Sequence, residues 1–317
     1  MAILEIRNLN LGFQSDDIFR QALFDVSFSL ERGKMLSIVG ESGCGKTMSA
    51  MSILKLIPKT ARITGGEILF KGENLLAKSH TQMQHIRGSK IALIPQDPMT
   101  SLNPLYTVGN QLLEIIKIHQ RIDGAEAEKM AIEAFDAVQI PAAKSRLKNY
   151  PHEFSGGMKQ RAIIAMALAC NAEVLIADEP TTALDVTIQA QIMNLLQEIK
   201  QHNNTAILLI THDLALVREN ADDIAVMYAG RIVESASNRE FFTTPVHPYT
   251  KALLNSLPSN CKDKLETIKG QPPALSQKIA GCKFHPRCDF CMEVCTHEVP
   301  NLDEVFNNHY CACFYKS

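Results

Sequence analysis

The chain has no tryptophan, and only 6% of its 317 residues are aromatic. It also has no strong charge of either sign, because 32 Lys and Arg residues balance 34 Asp and Glu residues to a formal net charge of −2. Such a balance gives no general attraction to nucleic acid or anionic lipid, so neither is expected as a partner. The longest apolar runs, such as residues 206–210, are far too short to span a bilayer. Any role at a membrane is therefore expected to need a membrane-spanning partner.

No export signal is expected at the N-terminus either. Residues 1–13 alternate apolar and polar like a strand, without a basic start, a long apolar stretch or a cleavage site. Of nine cysteines, Cys44 and Cys170 lie in the first two thirds, and the other seven crowd the tail: Cys261, Cys282, Cys288, Cys291, Cys295, Cys311 and Cys313. Without export, these predict a metal site rather than disulfides.

Strands dominate the predicted N-terminal part and the predicted core. Val26, Phe28 and Leu30 alternate with polar residues, and 67–70 forms a further strand candidate entered by Gly65-Gly66. Four apolar runs are typical of strands buried on both faces: 35–39, 91–94, 174–177 and 206–210. A helical pattern separates the last two: Ile188, Ile192, Leu195, Leu196 and Ile199. Strand, helix and strand in that order predict a parallel sheet in an α/β fold.

Two segments depart from this pattern. Residues 108–147 have helical periodicity without a strand signal, which predicts a helical insertion in the α/β core. After about residue 237 the chain is punctuated by prolines and holds most of the cysteines, which predicts a small C-terminal appendage.

A phosphate-binding loop is predicted where the run at 35–39 ends. The octet matches G-x-x-x-x-G-K-[ST] between a strand and a helix that begins at Met48: Gly40, Glu41, Ser42, Gly43, Cys44, Gly45, Lys46 and Thr47. Glycines let the backbone N–H groups curl around phosphate oxygens, and the helix dipole adds to the attraction. Lys46 is expected to reach the β- and γ-phosphates, and Thr47 to bind Mg²⁺. Cys44 is expected to contribute its backbone N–H rather than to act as a redox sensor.

Two adjacent acids end the run at 174–177. Neighbouring residues of an extended chain point in different directions, so one carboxylate can face a metal while the next faces the γ-phosphate. Asp178 is predicted to face the metal and to contact it through a water, and Glu179 is predicted to polarise the attacking water.

Further motifs, in this order, resemble those of the ABC ATPases over about residues 1–255. The segment 154–158 is similar to the LSGGQ signature, 183–185 to the D-loop, 210–213 to the switch-histidine segment, and Gln96 stands where the family has its Q-loop glutamine. The resemblance implies a RecA-like P-loop ATPase core with an antiparallel β-subdomain, a helical subdomain near 98–160 and a cysteine-rich tail at 256–317.

The resemblance also implies roles for these residues. The signature residues Ser155, Gly156, Gly157 and Met158, with Asp185 of the D-loop, are expected to cover ATP bound to a second ATPase. Two nucleotides would then be sandwiched in a head-to-tail dimer. His212 is expected to hold the attacking water in line, and Gln96 to touch Mg²⁺. Phe13 is the candidate for stacking on adenine, with Phe19 as its rival.

Longer matches point to one group of transporters. Segments 95–104, 152–158 and 247–254 resemble the ATPases of oligopeptide and dipeptide importers, most closely their D-type subunits, and so does the tail from Gly281. The resemblance implies a partner ATPase of the F type, two permease chains, an extracytoplasmic binding protein and a peripheral place on the cytoplasmic face of the inner membrane. The same subfamily includes nickel uptake systems, which stay open as an alternative cargo.

The spacing of the tail cysteines alone does not decide which metal they would bind, because four thiolates suit either an iron–sulfur cluster or tetrahedral zinc. The resemblance implies a [4Fe–4S] cluster on four of them: Cys282, Cys288, Cys295 and Cys313. Cys291 and Cys311 depart from the family pattern, and Cys288 with Cys291 would also suit a ligand pair. Two other classes of function agree less well with the sequence. A soluble ABC ATPase acting on nucleic acid is disfavoured by the single cassette without long heptads, and a binding-only regulator by the presence of Lys46, Glu179 and His212.

Overall fold

A computed structural model describes residues 2–15, 18–182, 184–257 and 268–315. The strands in these ranges are β1 (Ala2–Ser15), β2 (Ile18–Glu31), β3 (Met35–Val39), β4 (Ala61–Phe70), β5 (Glu73–Asn74), β6 (Ile91–Ile94), β7 (Val174–Asp178), β8 (Ala206–Ile210), β9 (Asp223–Tyr228), β10 (Arg231–Ser237), β11 (Asp303–Phe306) and β12 (His309–Cys311). The helices are α1 (Lys46–Ile53), α2 (His80–Gln84), α3 (Pro98–Ser101), α4 (Val108–Gln120), α5 (Gly124–Ala137), α6 (Ala143–Arg146), α7 (Gly156–Ala169), α8 (Val186–Asn203), α9 (Leu214–Asn220), α10 (Asn238–Thr243) and α11 (Pro248–Asn255).

These elements form two compact units. The first comprises Met1–Glu31, Met35–Ala77 and Ile210–Ser317, and the second comprises Arg32–Lys34 and Lys78–Leu209. In the part of the chain that the structure describes, no helix is both long and apolar enough to cross a membrane.

The first unit contains an antiparallel sheet in the order β2-β1-β4-β5. Its buried face is apolar, as the alternation predicts. Strand β4 is longer than the predicted 67–70, and Gly65-Gly66 lies inside it rather than before it. The pairing register shifts between Arg7 and Asn10, and a Cβ on Gly66, at a φ of 95°, would lie 2.4 Å from the Asn8 carbonyl oxygen. The glycines therefore form a bulge, not a turn.

The second sheet of the first unit has the order β3-β9-β10-β12-β11. Strand β3 is buried throughout and pairs in parallel with β9, while β9, β10, β12 and β11 pair antiparallel. The cysteine-rich tail is therefore part of this sheet and not a separate appendage. Its strand β12 adds to the edge of β10, where Glu234 lies opposite Cys311. Main-chain hydrogen bonds thus join the cysteine-rich segment to this sheet.

A buried polar cluster fastens the tail to β10. Glu234 is fully buried, and its Oε1 atom lies 2.6 Å from Nε2 of His309. The same carboxylate accepts N–H groups from Val246 at 2.8 Å and His247 at 2.9 Å. Breaking a buried, hydrogen-bonded pair of this kind is costly because it leaves the remaining partner unpaired.

His247 makes the stability of this region depend on pH. Its Nδ1 atom accepts the Tyr249 N–H at 3.0 Å and caps α11, which requires the neutral ring, and burial lowers the pKa of His247 to about 4. Because this pKa lies below the unfolded value of about 6.5, the contribution is complete above pH 6.5 and is lost as pH falls towards 4. We expect a loss of about 2 kcal/mol in unfolding free energy at pH 5 relative to pH 7.5. Urea unfolding at the two pH values measures it.

The control for this prediction is His247→Asn. Asparagine keeps a capping acceptor but does not titrate. Its unfolding free energy should therefore change less between pH 7.5 and pH 5 than that of the unaltered chain. Equal losses in the two proteins would contradict the assignment to His247.

The second unit contains strands β8, β7 and β6 side by side, with β6 and β7 parallel. Helix α8, between β7 and β8, buries Ile192 and Leu196 as the helical pattern predicts. Helices α4, α5 and α6 occupy the stretch predicted to be helical, and α4 begins at Val108 behind a Thr107 cap. The α/β core, the antiparallel β-subdomain and the helical insertion of the predicted fold are confirmed.

Candidate functional site

The phosphate loop connects β3 to α1 through glycines with positive φ. A Cβ on Gly40, at a φ of 150°, would lie 2.1 Å from the Met227 carbonyl oxygen. At Gly45, with a φ of 110°, it would lie 2.6 Å from Cδ2 of Leu23. Both positions therefore require glycine. Gly45 is the N-cap of α1 and makes no side-chain cap hydrogen bond, which suits N–H groups that bind phosphate.

The side chains of the loop divide into buried and exposed groups. Ser42 and Gly43 are exposed, while Thr47 and Met48 lie half-buried in the first turn of α1. Lys46 is only 5% exposed, and its Nζ atom donates to the carbonyls of Gly40 at 2.8 Å and Glu41 at 3.0 Å. The ammonium group is therefore fixed by the curl of its own loop.

Cys44 has the surroundings of a structural cysteine. Its carbonyl oxygen accepts the Gly230 N–H at 2.9 Å, and its side chain is 6% exposed. Burial raises the pKa of the Cys44 thiol, and the positive charge of Lys46 only partly opposes this. A protonated, buried thiol is a poor redox sensor.

His212 belongs to the same unit as the phosphate loop. The Thr211 N–H donates to the Ile38 carbonyl at 3.4 Å, so the segment after β8 lies beside the end of β3, two residues before Gly40. His212 is exposed, and Asp213 caps α9 by accepting the N–H groups of Ala215 and Leu216. The loop that carries His212 is thereby held at the strand end that leads into the phosphate loop.

Asp178 and Glu179 differ in burial. Asp178 ends β7 and is fully buried, whereas Glu179 is half-buried. Glu179 has a φ of 47°, a left-handed conformation that costs a residue with a side chain about 1 kcal/mol or more. Thr182 donates its hydroxyl to Glu179 Oε2 at 3.2 Å. The backbone turn, not strand alternation, separates the two carboxylates.

Gln96 lies exposed after the end of β6. The next residue, Asp97, caps α3, and hydrogen bonds from the Thr100 hydroxyl and the Met99 N–H lower the pKa of Asp97. The segment that follows exposes large apolar side chains: Met99 at 57%, Leu105 at 80% and Tyr106 at 56%. Gln96 thus stands at the border between a buried strand and an apolar surface.

The signature residues form the N-terminus of α7. Ser155 caps the helix by accepting the Met158 N–H at 3.3 Å. Ser155 and Gly156 are exposed, Gly157 and Met158 are half-buried, and a Cβ on Gly156 would meet no atom within 4 Å. An open helix N-terminus with a serine cap is suited to bind an anion that approaches from outside the chain.

The D-loop and the aromatic candidates complete the predicted set. Asp185 caps α8 by accepting the Ile188 N–H at 3.0 Å, while Ala183 of the same motif lies outside the described residues. Phe13 on β1 is half-buried, and Phe19 on β2 is 42% exposed with its ring over Gly12.

The predicted residues are shared between the two units. The first unit holds the phosphate loop, Phe13, Phe19, His212 and the tail cysteines, and the second holds Gln96, Ser155–Met158, Asp178, Glu179 and Asp185.

Sequence reasoning missed the residues that hold Glu41. Its carboxylate forms a bidentate ion pair with Arg287 of the tail, and its N–H donates to the Tyr249 hydroxyl at 3.0 Å. The octet gives no sign of these partners, because they lie more than 200 positions away along the chain.

The tail thiols lie close enough together for the charge on one to affect the pKa of another. Burial raises the pKa of Cys282, and it raises the pKa of Cys288 and Cys313 to about 11. Charge on neighbouring sulfurs raises all three further, and Cys295 is one of these neighbours for Cys282 and Cys313. The Cys282 N–H also donates to the Cys295 carbonyl at 2.9 Å. Cys291 is exposed, and Cys261 lies outside the described residues.

A single metal ion does not fit these thiols as the structure has them. Across the ranges that the structure describes, no group of three or more His, Cys, Asp or Glu side chains could hold one ion. The zinc alternative therefore gains no support. Cys311 packs with Val246 and Cys313 in a small apolar cluster, as a core residue does.

Comparison with known proteins identifies the family. Residues 23–182 match the family described as ABC transporter, and residues 233–295 match the oligopeptide/dipeptide transporter C-terminal region. A probable peptide ABC transporter ATP-binding protein of Sinorhizobium fredii is 51% identical over 98% of this chain and 94% of its own. The oligopeptide transport ATP-binding protein OppD of Escherichia coli is 46% identical over 99% of this chain and 93% of its own. The dipeptide transport protein DppD of Escherichia coli is 44% identical over 99% and 97%.

A solved structure supports the same family. The dimeric structure of the ATP-binding cassette MJ0796 in a post-hydrolysis state, bound to ADP and Pi, has a TM-score of 0.69 at 26% identity. It covers 74% of this chain and 99% of that one. The chain therefore belongs to the ABC transporter family, among the ATP-binding subunits of oligopeptide and dipeptide transporters.

Proposed function

We propose that this chain hydrolyses ATP to drive the import of dipeptides and oligopeptides across the cytoplasmic membrane. The observation that carries the proposal is the combination of a full set of ATPase motifs with the C-terminal region matched at 233–295. The similarity to peptide, oligopeptide and dipeptide transport proteins favours peptides over nickel or another small solute as cargo.

Transport assays test this function. A strain that lacks the gene should lose uptake of labelled dipeptide and tripeptide, and the unaltered chain should restore it while Lys46→Ala should not. Normal peptide uptake combined with a loss of nickel uptake would favour the alternative cargo.

The machine that we propose contains a second ATPase of the F type, two permease chains and an extracytoplasmic binding protein. The two ATPases pair head to tail on the cytoplasmic face of the inner membrane, to which this chain attaches peripherally. The exposed Ser155 and Gly156 support a nucleotide contact from another chain. The exposed apolar Met99, Leu105 and Tyr106 support docking of a permease next to Gln96.

We propose the following division of chemical work. Backbone N–H groups of residues 40–47 bind the phosphates, Lys46 holds the β- and γ-phosphates, and Thr47, Gln96 and Asp178 hold Mg²⁺. Bound Mg²⁺ neutralises negative charge on the phosphates that are being separated. Glu179 accepts a proton from the attacking water, and His212 keeps that water in line. Phe13 stacks on adenine, with Phe19 as the alternative.

The proposed domain boundary lies near residue 255. Residues 1–255 form the ATPase domain, with its helical part at about 98–160, and residues 256–317 form the cysteine-containing region. In the cycle that we propose, ATP closes the dimer, the Q-loops move the permease helices, and hydrolysis reopens the dimer.

We also propose that Cys282, Cys288, Cys295 and Cys313 ligate a [4Fe–4S] cluster. The support is their number, their type and their mutual influence on thiol pKa. A cluster of four irons and four sulfides is wider than one ion, so its ligands stand farther apart than those of zinc. When bound, the cluster would cross-link and thereby stabilise a segment that is poor in apolar residues.

Metal analysis tests the cluster. Anaerobically purified protein should contain about four iron and four sulfide per chain, and Cys295→Ser should lose both. The matched control, Cys170→Ser, removes a buried thiol of the other unit and should keep them. Stoichiometric zinc without iron would contradict the proposal.

A further inference from the structure

Glu41 of the phosphate loop is held by groups outside the loop. Its carboxylate accepts from both terminal nitrogens of Arg287, at 2.6 Å to Oε2 and 3.0 Å to Oε1. Its N–H donates to the Tyr249 hydroxyl at 3.0 Å, and its carbonyl accepts from Lys46 Nζ at 3.0 Å. All three polar parts of Glu41 are therefore engaged, and two of them by residues near the C-terminus.

Arg287 is itself held rigidly. The side chain is only 6% exposed, and its Nε atom donates to the Lys269 carbonyl at 2.7 Å. The guanidinium lies 5.7 Å from the centre of the Tyr228 ring and donates to its hydroxyl at 3.3 Å. A planar guanidinium fixed on one side by a ring and a carbonyl can aim two parallel hydrogen bonds at a carboxylate.

An aromatic cluster supports both anchors. The rings of Tyr228 and Tyr249 lie 4.7 Å apart, and Phe284 of the tail packs against both at 5.2 Å and 5.3 Å. All three rings are buried. The tail residues Phe284 and Arg287 therefore form one packed block with Tyr249, and this block contacts the phosphate loop at Glu41.

We propose that Arg287 is a positioning residue for ATP: through Glu41 it fixes the curl of the phosphate loop and hence the place of Lys46. The chain of contacts runs from Arg287 to the Glu41 carboxylate, and from the Glu41 carbonyl to the Lys46 ammonium. None of these contacts requires Arg287 to touch nucleotide. The C-terminal region thus completes the ATP site by pre-organising it, which spares the nucleotide the cost of ordering the loop.

This inference rests on the proposed role of residues 40–47 in binding phosphate, and calorimetry with a non-hydrolysable ATP analogue separates the two. If the unaltered chain does not bind the analogue, the proposed site itself fails. If it binds, Arg287→Met should weaken binding about tenfold, because a partly buried charge pair loses one member. Arg287→Lys keeps the charge without the fork and should recover part of the affinity.

A matched control and a double-variant cycle exclude a general structural effect. Lys269→Met removes an exposed tail cation that pairs with Asp289 and should bind as the unaltered chain does. Glu41→Gln should weaken binding, and Glu41→Gln with Arg287→Met should be no weaker than the worse single variant, because the two act through one contact. Thermal unfolding shows which variants remain folded.

Unchanged affinity in folded Arg287→Met would overturn the proposal, and so would fully additive effects in the double variant. If Arg287→Met does not fold, the comparison of Arg287→Lys and Glu41→Gln with the unaltered chain carries the test. Unchanged affinity in both of these variants would then overturn it.

Discussion

Replacing Glu179 with glutamine will reduce ATP turnover by about 10²- to 10⁴-fold, the range expected when a general base is lost. Glutamine has the size of glutamate but cannot accept the proton of the attacking water. ATP binding should survive, because the phosphate loop belongs to the other unit and is unchanged. Steady-state phosphate release and calorimetric ATP affinity, measured together, check both halves of the expectation.

The control for this prediction is Glu198→Gln. It makes the same chemical change at an exposed position of α8 in the same unit, and turnover should stay normal. Undiminished turnover in Glu179→Gln would remove Glu179 from its role.

Replacing Ser155 with arginine will lower turnover on the order of a hundredfold, the effect of losing one preorganised donor site for anionic charge. The long side chain would occupy the open N-terminus of α7 and remove the cap on the Met158 N–H. ATP affinity of the isolated chain should not change, since in the proposed arrangement this helix contacts nucleotide held by another subunit. Turnover in the assembled ATPase pair, set beside affinity in the lone chain, gives the comparison.

Ser145→Arg is the matched variant. Ser145 is an exposed residue of α6 in the same unit, and arginine there should leave turnover intact. A loss of ATP affinity in the lone Ser155→Arg chain would show that the signature acts in cis and would contradict the arrangement proposed.

The nucleotide-binding elements follow from local sequence, and for that reason they are predictable. The strand before Gly40 is an uninterrupted apolar run, the loop needs glycine where a Cβ would strike Met227 or Leu23, and a helix follows at Lys46. The cap of α7 by Ser155 is local in the same sense. The hydrophobic periodicity of a segment and the residues at its turns and helix caps are local features, and they are sufficient to predict these elements.

What the sequence does not reveal depends on distant contacts. The pairing of β12 with β10 turns the cysteine-rich tail into part of a sheet, although its prolines suggest an appendage. The Arg287–Glu41 pair joins positions 246 residues apart, and no pattern within either segment announces it. The bulge at Gly66 depends likewise on the Asn8 carbonyl of the neighbouring strand. Tertiary packing, rather than local propensity, decides each of these.

The central claim is that ATP is held between the phosphate loop of one subunit and the Ser155–Gly157 turn of another. The most direct measurement uses ATP with a photoreactive group on the γ-phosphate, followed by mass-spectrometric mapping of the labelled peptide. In the assembled ATPase pair, residues 155–158 should be labelled, and in the lone dilute chain they should not. Equal labelling of residues 155–158 in the lone chain would contradict the claim.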